Sequence, residues 1–253
     1  MLRALWSGAT GMAAQQFNID NISNNLANVN TSGFKKQRVQ FQDLYYQNLL
    51  MGKDAVASVG SGVRVGGTQR SFRQGPLERV DDPLALAIEG AGFFTIEGPN
   101  GEERYTRDGA FRLDSEGRLV TSDGYLVSVE GGGSVPGGTE ELTVDKSGII
   151  YGKLDGSFEE FGRIALTVFP NPAGLEAVGS NLFRESSQSG EGIKVEPGQE
   201  GAGSILSNYL ETSNVEIVSE MVNLIVAQRA FELNSKAVET ADQMWAIANN
   251  IRR

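Results

Sequence analysis

Residues 1–29, MLRALWSGATGMAAQQFNIDNISNNLANV, have the pattern of a single amphipathic helix. Apolar side chains recur in this stretch every seven residues, at Leu5, Met12, Ile19 and Leu26. A seven-residue apolar repeat is typical of a helix that packs along a second helix, because it keeps one apolar seam on one side. We therefore expect an N-terminal helix from Met1 to Val29 with a coiled-coil-like seam.

The polar side of this helix carries amides rather than charges. A stripe at helical spacing contains Asn18, Asn21, Asn25 and Asn28, and Asn24 adjoins it. Before Lys35 the charged residues are Arg3 and Asp20 alone. A helix side that faces water usually carries Lys and Glu. We therefore expect this side to be covered by something other than bulk solvent.

A longer seven-residue repeat occupies the C-terminal part of the chain. Its apolar positions are Ile217, Leu224, Phe231, Val238 and Trp245, with Ala227, Ala241 and Ala248 beside them. A helix from Val215 to Ile251 would be about 55 Å long at roughly 1.5 Å per residue. Two terminal helices of this kind should pack together within one chain or against helices of other chains. The pattern leaves both arrangements open, because a seam does not show whose helix fills it.

Composition excludes several classes of function. The 253 residues include neither cysteine nor histidine, which removes disulfides, thiolate metal sites and the commonest general base. The net charge of −10, most of it between the helices, argues against nucleic-acid binding and against an anionic membrane surface. No stretch resembles a membrane span or a cleaved secretory signal. These features alone would predict a cytoplasmic protein.

The middle of the chain, residues 71–200, has the pattern of an all-β domain. Short apolar runs alternate with Gly-containing turns, as in Leu142–Val144 followed by the turn at Gly148. Such regular spacing predicts a sandwich or barrel-like domain inserted between the helices. Residues 51–67 are rich in Gly, Ser and Val and suggest a long loop or a weakly paired hairpin, and residues 186–203 suggest a return linker.

Three regions are expected from these patterns. Residues 1–33 and 214–253 form a helical assembly region, residues 34–70 and 201–213 form an extended linker or hairpin region, and residues 71–200 form the β domain.

No constellation of residues predicts catalysis, a metal site or a cofactor. The acidic doublets, such as Glu159–Glu160, would point to opposite faces of a strand and not to one substrate. The basic run from Phe34 to Arg38 could contact an acidic neighbour, but a solvated surface is the favoured interpretation.

Segments in three parts of the chain resemble the bacterial flagellar basal-body rod and hook family. They are SNNLANVNT at 23–31 with Gly33-Phe34-Lys35, GAGFF at 90–94 with YTRDGAF at 105–111, and ETSNV at 211–215 with QRAFE at 228–232. The opening residues Leu5-Trp6 and ATGM at 9–12 are similar to the distal rod branch of that family. The resemblance covers nearly the whole chain and keeps its order.

The resemblance implies a fold and a mechanical function. In this family the terminal helices of many subunits pack into a tube around a channel, the β domain faces outward, and the rod transmits motor torque to the hook. It implies a structural protein of the basal body in the periplasm, without enzymatic activity, exported unfolded through the flagellar export apparatus with no cleaved signal. The implied partners are other copies, proximal rod and hook proteins, and the surrounding ring proteins. The implied interface contains the two apolar seams together with Asn24, Asn25 and Asn28.

Two alternatives stay open. The 51–67 segment is shorter than a distal rod protein leads us to expect, so a proximal rod subunit, with the same fold and another position, is the nearest alternative. A secreted carbohydrate-binding module or a carboxylate-based hydrolase is the alternative from another class. That alternative requires two inward-facing carboxylates on facing strands of the β domain.

Overall fold

The structure, a computed structural model, describes residues 2–50, 56–98, 101–132, 134–137, 139, 142–154, 157–199 and 201–251. One long helix lies near each end of the chain, with strands between them. Helix α1 spans Leu2–Ala27 and helix α2 spans Ile217–Ile251. The expected mixed α and β fold is confirmed, and the helix ends lie within two residues of the predicted ones.

The described residues form two compact units. The first unit contains Met1–Ala27, Gln37–Ser71 and Val215–Arg253, and the second contains Asn28–Lys36 and Phe72–Asn214. The finer division into three regions stays a prediction.

Two antiparallel strand pairs follow α1 in the first unit. They comprise β1 (Gln37–Asp43), β2 (Tyr46–Leu50), β3 (Val56–Gly60) and β4 (Val63–Arg70). Strand β1 pairs with β4 and β2 pairs with β3, and the Leu44 amide donates to the Gly62 carbonyl oxygen at 2.9 Å between the two pairs. Of the two structures expected for 51–67, the described residues adopt the hairpin. Residues 51–55 lie outside the described part of the chain.

Short strands make up most of the second unit, which confirms that the middle of the chain is β-rich. They are β5 (Leu77–Arg79), β6 (Leu86–Glu89), β7 (Phe93–Glu97), β8 (Glu103–Thr106), β9 (Arg112–Leu113), β10 (Leu119–Val120), β11 (Leu126–Val127), β12 (Val129–Glu130), β13 (Leu142–Val144), β14 (Ile149–Leu154), β15 (Ser157–Ile164), β16 (Leu166–Val168), β17 (Glu176–Gly179), β18 (Leu182–Arg184), β19 (Ile193–Val195), β20 (Ser204–Ser207) and β21 (Tyr209–Glu211).

These strands form two larger sheets and two isolated pairs. The nine-stranded sheet has the order β17-β18-β8-β7-β11-β10-β9, with β16 beside β7 and β19 beside β16. The four-stranded sheet has the order β12-β15-β14-β13, and β20 pairs with β6 and β21 with β5. The expected return linker at 186–203 is therefore wrong in part, because β19 within it is a strand paired with β16.

The main core of the second unit lies where strands of both larger sheets contribute apolar side chains. Leu86, Phe94, Ile164, Leu166 and Ile205 are fully buried in it. A second cluster of aromatic side chains, containing Phe93, Tyr105, Phe169 and Phe183, packs with its rings edge to face. Burying such side chains stabilises this unit by about 1.5–3 kcal/mol for each residue.

The segment that follows α1 turns sharply into the second unit. Gly33 has φ = +67°, and a Cβ at this position would lie 2.5 Å from the Asp108 backbone nitrogen. Both observations favour glycine at this position. The Gly33 amide also donates to the Glu211 carbonyl oxygen at 2.8 Å.

A buried ion cluster joins distant parts of the second unit. The Lys35 ammonium lies 2.5 Å from one oxygen of the Glu211 carboxylate, and the Arg107 guanidinium lies 3.3 Å from the other. The Gly75 amide also donates to the Glu211 carboxylate, at 2.8 Å, and Lys35 donates to the Arg73 carbonyl oxygen, at 3.0 Å. The expectation of a solvated basic run is therefore wrong for Lys35, which is 1% exposed.

Burial disfavours the charged state of both cations in this cluster. Desolvation lowers the pKa of Lys35 and that of Arg107, and the Glu211 carboxylate opposes both shifts. The carboxylate therefore favours the charged form of both cations and offsets part of the effect of burial.

Candidate assembly interface

The two terminal helices pack against each other in antiparallel directions within the first unit. Gly8 lies next to Val238, Gly11 next to Asn234, and Asn25 next to Glu220. The residue numbers in each pair add up to 245 or 246, as an antiparallel register requires. Of the two arrangements that the sequence left open, packing within one chain therefore occurs.

Small residues allow this close approach. A Cβ added at Gly8 would lie 2.7 Å from Val238 Cγ2, and one at Gly11 would lie 2.9 Å from Asn234 Nδ2. Ala14 on α1 and Ala227 on α2 are also buried. Because these positions carry hydrogen or methyl side chains, the two helices approach each other closely there.

The face of α2 toward α1 follows the seven-residue repeat. Residues on this face alternate at spacings of four and three: Glu220, Leu224, Ala227, Phe231, Asn234, Val238 and Ala241. Leu224, Phe231 and Val238 are half-buried there, as are Leu5, Met12, Ile19 and Leu26 on α1. The structure thus places most of the predicted seam residues at partly covered positions of a helix pair.

Asn25 makes the polar contacts at one end of this helix pair. Its side-chain amide donates to the Gln37 carbonyl oxygen at 2.8 Å and to Glu220 at 3.1 Å, and its carbonyl oxygen accepts from the Gln37 amide at 3.0 Å. The Asn25 side chain thus bonds to both the backbone amide and the backbone carbonyl of Gln37, the first residue of β1. A neighbouring strand would satisfy the same two groups. Asn24 is exposed and Asn28 is half-buried. Their role in assembly stays a prediction.

A large apolar surface of α2 remains uncovered. Val218, Met221, Val222, Ile225 and Val226, here called the outward strip, are between 51% and 70% exposed. Val218, Val222 and Ile225 lie at spacings of four and three on the side opposite the buried Ala227. The seven-residue repeat did not predict the outward strip, because it indicates one seam, although this part of α2 is apolar on nearly all sides.

The predicted seam residues at the two ends of α2 also lie on the surface. Ile217 is 47% exposed and Trp245 is 49% exposed. In the antiparallel register the first residue of α1, Leu2, reaches to about residue 243, so Trp245 and Ile247 lie beyond the described part of α1. These side chains and the outward strip are available for contacts with other molecules.

Across the described residues, no three acidic side chains gather into a group that could hold a metal ion. Neither helix has an apolar stretch sufficient to cross a membrane within the part that the structure describes.

Family models for flagellar proteins match three parts of the chain. "Flagella basal body rod protein" matches residues 5–35, "Flagellar hook protein FlgE/F/G D1 domain" matches residues 87–152, and "Flagellar basal body rod FlgEFG protein C-terminal" matches residues 206–251. The first and third matches cover the two helices of the interface.

Curated relatives match over the whole chain. The flagellar basal-body rod protein FlgG of Borreliella burgdorferi is 47% identical over 264 residues, which cover 100% of both chains. The FlgG protein of Caulobacter vibrioides is 45% identical, over 99% of this chain and 100% of its own. The flagellar hook protein FlgE of Helicobacter mustelae is 46% identical, over 50% of this chain and 30% of its own. Since the full-length matches are to rod proteins, the chain belongs to the FlgG family of flagellar basal-body rod proteins.

Proposed function

We propose that this structural subunit of the flagellar rod lies in its distal part, polymerises into a helical tube and transmits motor torque to the hook. The observation that supports this most strongly is the outward strip of α2. Exposed apolar patches of this kind mark protein interaction sites, because leaving them in water is unfavourable. The relatives' designation as rod proteins supports other subunits of the rod as the partner.

The position of the outward strip favours polymerisation over a closed pair. In each chain α1 covers one side of α2, and the strip lies on the opposite side. When the strip contacts a different surface on the next copy, the contact is heterologous and can repeat without closing. Repetition of such a contact would produce a helical assembly with a coiled-coil-like layer of terminal helices.

The tube has consequences for the rest of the chain. The β-rich region, as a sandwich or barrel-like domain, would face outward toward the ring proteins of the cell envelope. The subunit would reach the periplasm through the flagellar export apparatus without a cleaved signal, contact proximal rod and hook proteins, and have no enzymatic activity. A stiff stack of interlocked helices is suited to carrying torque.

The alternatives receive less support. A proximal rod subunit would share the fold, but the full-length matches are to FlgG proteins. A carbohydrate-active domain requires two inward carboxylates on facing strands. Among the described residues of the second unit, Glu211 is the one buried carboxylate, and it pairs with Lys35 and Arg107.

Deleting the gene in the bacterium that makes this chain tests the proposal. We expect non-motile cells whose purified basal bodies contain a shortened rod and no hook in electron micrographs. Restoring the gene should restore both structures, and an epitope tag on the chain should label the hook-proximal end of the rod. Full-length rods and normal swimming in the deletion strain would contradict the proposal, and a tag at the base of the rod would indicate a proximal subunit.

A further inference from the structure

A cavity with aromatic walls opens on the second unit. Its volume is about 280 Å³, and its lining includes Phe72, Phe93, Phe169, Pro172 and Arg107. Phe72 and Phe93 meet edge to face at 5.4 Å, and Phe93 and Phe169 do so at 5.8 Å. Because a dry cavity of roughly 150 Å³ can hold a benzene ring, this one is large enough for an aromatic side chain.

One end of the cavity is positively charged. Arg107 is 4% exposed, its guanidinium carbon lies 5.3 Å from the centre of the Phe93 ring, and its Nε atom is buried without a hydrogen-bond partner. Arg107 shares the single carboxylate of Glu211 with Lys35, so with both cations protonated this cluster carries one positive charge in excess. A ligand that combines an aromatic ring with an acidic flank would match both features.

The same chain presents such a group on another part of the second unit. Phe158, the second residue of β15, is 64% exposed, which is unusual for an aromatic side chain. Glu159 and Glu160 follow it and are exposed. On a strand Glu160 points to the same face as Phe158, two residues away. Strand β15 therefore carries an exposed aromatic ring, Phe158, with the carboxylate of Glu160 beside it.

We propose that Phe158 of one copy inserts into the aromatic cavity of the next copy, with Glu160 toward its positive end. This inference rests on the proposed function, since it names a second contact between subunits of the same rod. The acidic flank and the excess positive charge attract each other, and the ring would add edge-to-face contacts with Phe72 and Phe93. Because Phe158 and the cavity lie at different places on one chain, their contact between two copies is heterologous, as a helical assembly requires.

The position of Phe158 favours insertion into another copy rather than into its own cavity. Five residues of β15 lie between Phe158 and the fully buried Ile164, so the two residues are up to about 20 Å apart at roughly 3.3 Å per residue. Pairing with β14 holds this strand in place from Ser157 to Arg163. The ring is thus held away from the core of its own chain.

Cysteine cross-linking in assembled rods tests the contact, because the chain has no cysteine of its own. Cells would produce two full-length variants together, Phe158→Cys and Ala91→Cys, the latter at an exposed residue of the cavity lining. After mild oxidation of purified basal bodies we expect disulfide-linked dimers at least tenfold above those from either variant alone. The matched control replaces Ala91→Cys by Ser115→Cys, which is exposed and outside the lining.

The outcomes separate this contact from the proposed function. Intact rods that contain both variants but give no more dimer than the control would overturn the contact and leave the rod function standing. Cross-linking of Ala91→Cys to a different protein alone would overturn it as well. Absence of the unmodified chain from basal bodies would contradict the proposed function itself.

A second variant covers the case in which Phe158→Cys fails to enter rods. Ala91→Trp fills the cavity from within its own chain, and its monomer should unfold at the same denaturant concentration as the unmodified chain because residue 91 is exposed. We expect its recovery in basal bodies to fall at least tenfold. Normal recovery of Ala91→Trp would overturn the contact.

Discussion

Replacing Ile225 by Asp is expected to abolish swimming and to keep the chain out of the rod. Ile225 lies in the centre of the outward strip and is 56% exposed, so the isolated chain loses few contacts. In a rod the new carboxylate would be buried between helices without a partner, which costs several kcal/mol. A cost of about 3 kcal/mol would weaken each contact by roughly 100-fold, and the contact is repeated in every subunit. Swimming assays and immunoblots of purified basal bodies measure the effect.

A matched variant distinguishes the effect of burying a carboxylate in the outward strip from the effect of adding a negative charge to α2. Gln243 is exposed on the same side of α2 as Ile225, eighteen residues or five helical turns further along. Gln243→Asp adds the same charge outside the outward strip, and we expect its incorporation to stay near normal. Normal swimming of the Ile225→Asp strain would show that the strip does not form a rod contact.

Replacing Glu211 by Ala is expected to destabilise the folded chain by about 3–5 kcal/mol, because two buried cations lose their shared carboxylate. Glu211 is fully buried, and its side chain contacts Lys35, Arg107 and the Gly75 amide. The midpoint of guanidinium unfolding measures the loss. As a control, Glu176→Ala removes an exposed ion pair with Arg184, and the midpoint should not change measurably. Equal midpoints for the two variants would show that the buried cluster does not stabilise the fold.

The same variant has a signature in its pH dependence. Burial lowers the pKa of Lys35 from 10.5, and Glu211 opposes this shift. Without Glu211 the pKa of Lys35 in the folded state falls further below its value in the unfolded chain. Between these two pKa values the unfolded chain binds more protons at Lys35 than the folded chain does. The free energy of unfolding of the variant is therefore lowest below the folded-state pKa of Lys35 and rises as the pH approaches the unfolded-state pKa. The stability deficit of Glu211→Ala should therefore shrink as the pH rises toward 10.5, the ordinary pKa of Lys35, and a constant deficit would exclude Lys35 as its cause.

The sequence predicted the helices well because their signal is long and periodic. The seven-residue spacing of Leu224, Phe231 and Val238 identified the face of α2 that packs on α1. The β-rich middle was recognisable for a related reason, since short apolar runs and Gly turns alternate regularly there. The two isolated strand pairs and the pairing of β19 were not predictable, because pairing partners distant in sequence leave no local pattern.

The buried polar contacts were hidden from sequence reasoning. Lys35 lies in a basic run that looks solvated, and its partner Glu211 is 176 residues away. Asn25 belongs to an amide stripe that predicted cover by something other than bulk solvent, and its side chain is buried against Gln37 and Glu220. A tertiary contact overrides the local pattern at Lys35, whereas at Asn25 the pattern predicted burial without naming the partners.

The outward strip was missed for a different reason. A seven-residue repeat indicates one seam, and Val218, Val222 and Ile225 lie on the other side of α2 from it. Apolar residues on both sides of a helix indicate more than one neighbour, and this signal was present in the sequence.

The most direct measurement of the central claim is the reactivity of a cysteine in the outward strip before and after assembly. Ile225→Cys in the full-length chain should react with a maleimide as a dilute monomer, since the site is exposed and no other cysteine is present. In purified basal bodies we expect this cysteine to react at least tenfold more slowly. The control is Ser115→Cys, at an exposed residue of the second unit, whose labelling rate measures how far assembly slows the reagent at a site outside the outward strip. Equal labelling of Ile225→Cys in the monomer and in the rod would contradict an assembly through the terminal helices.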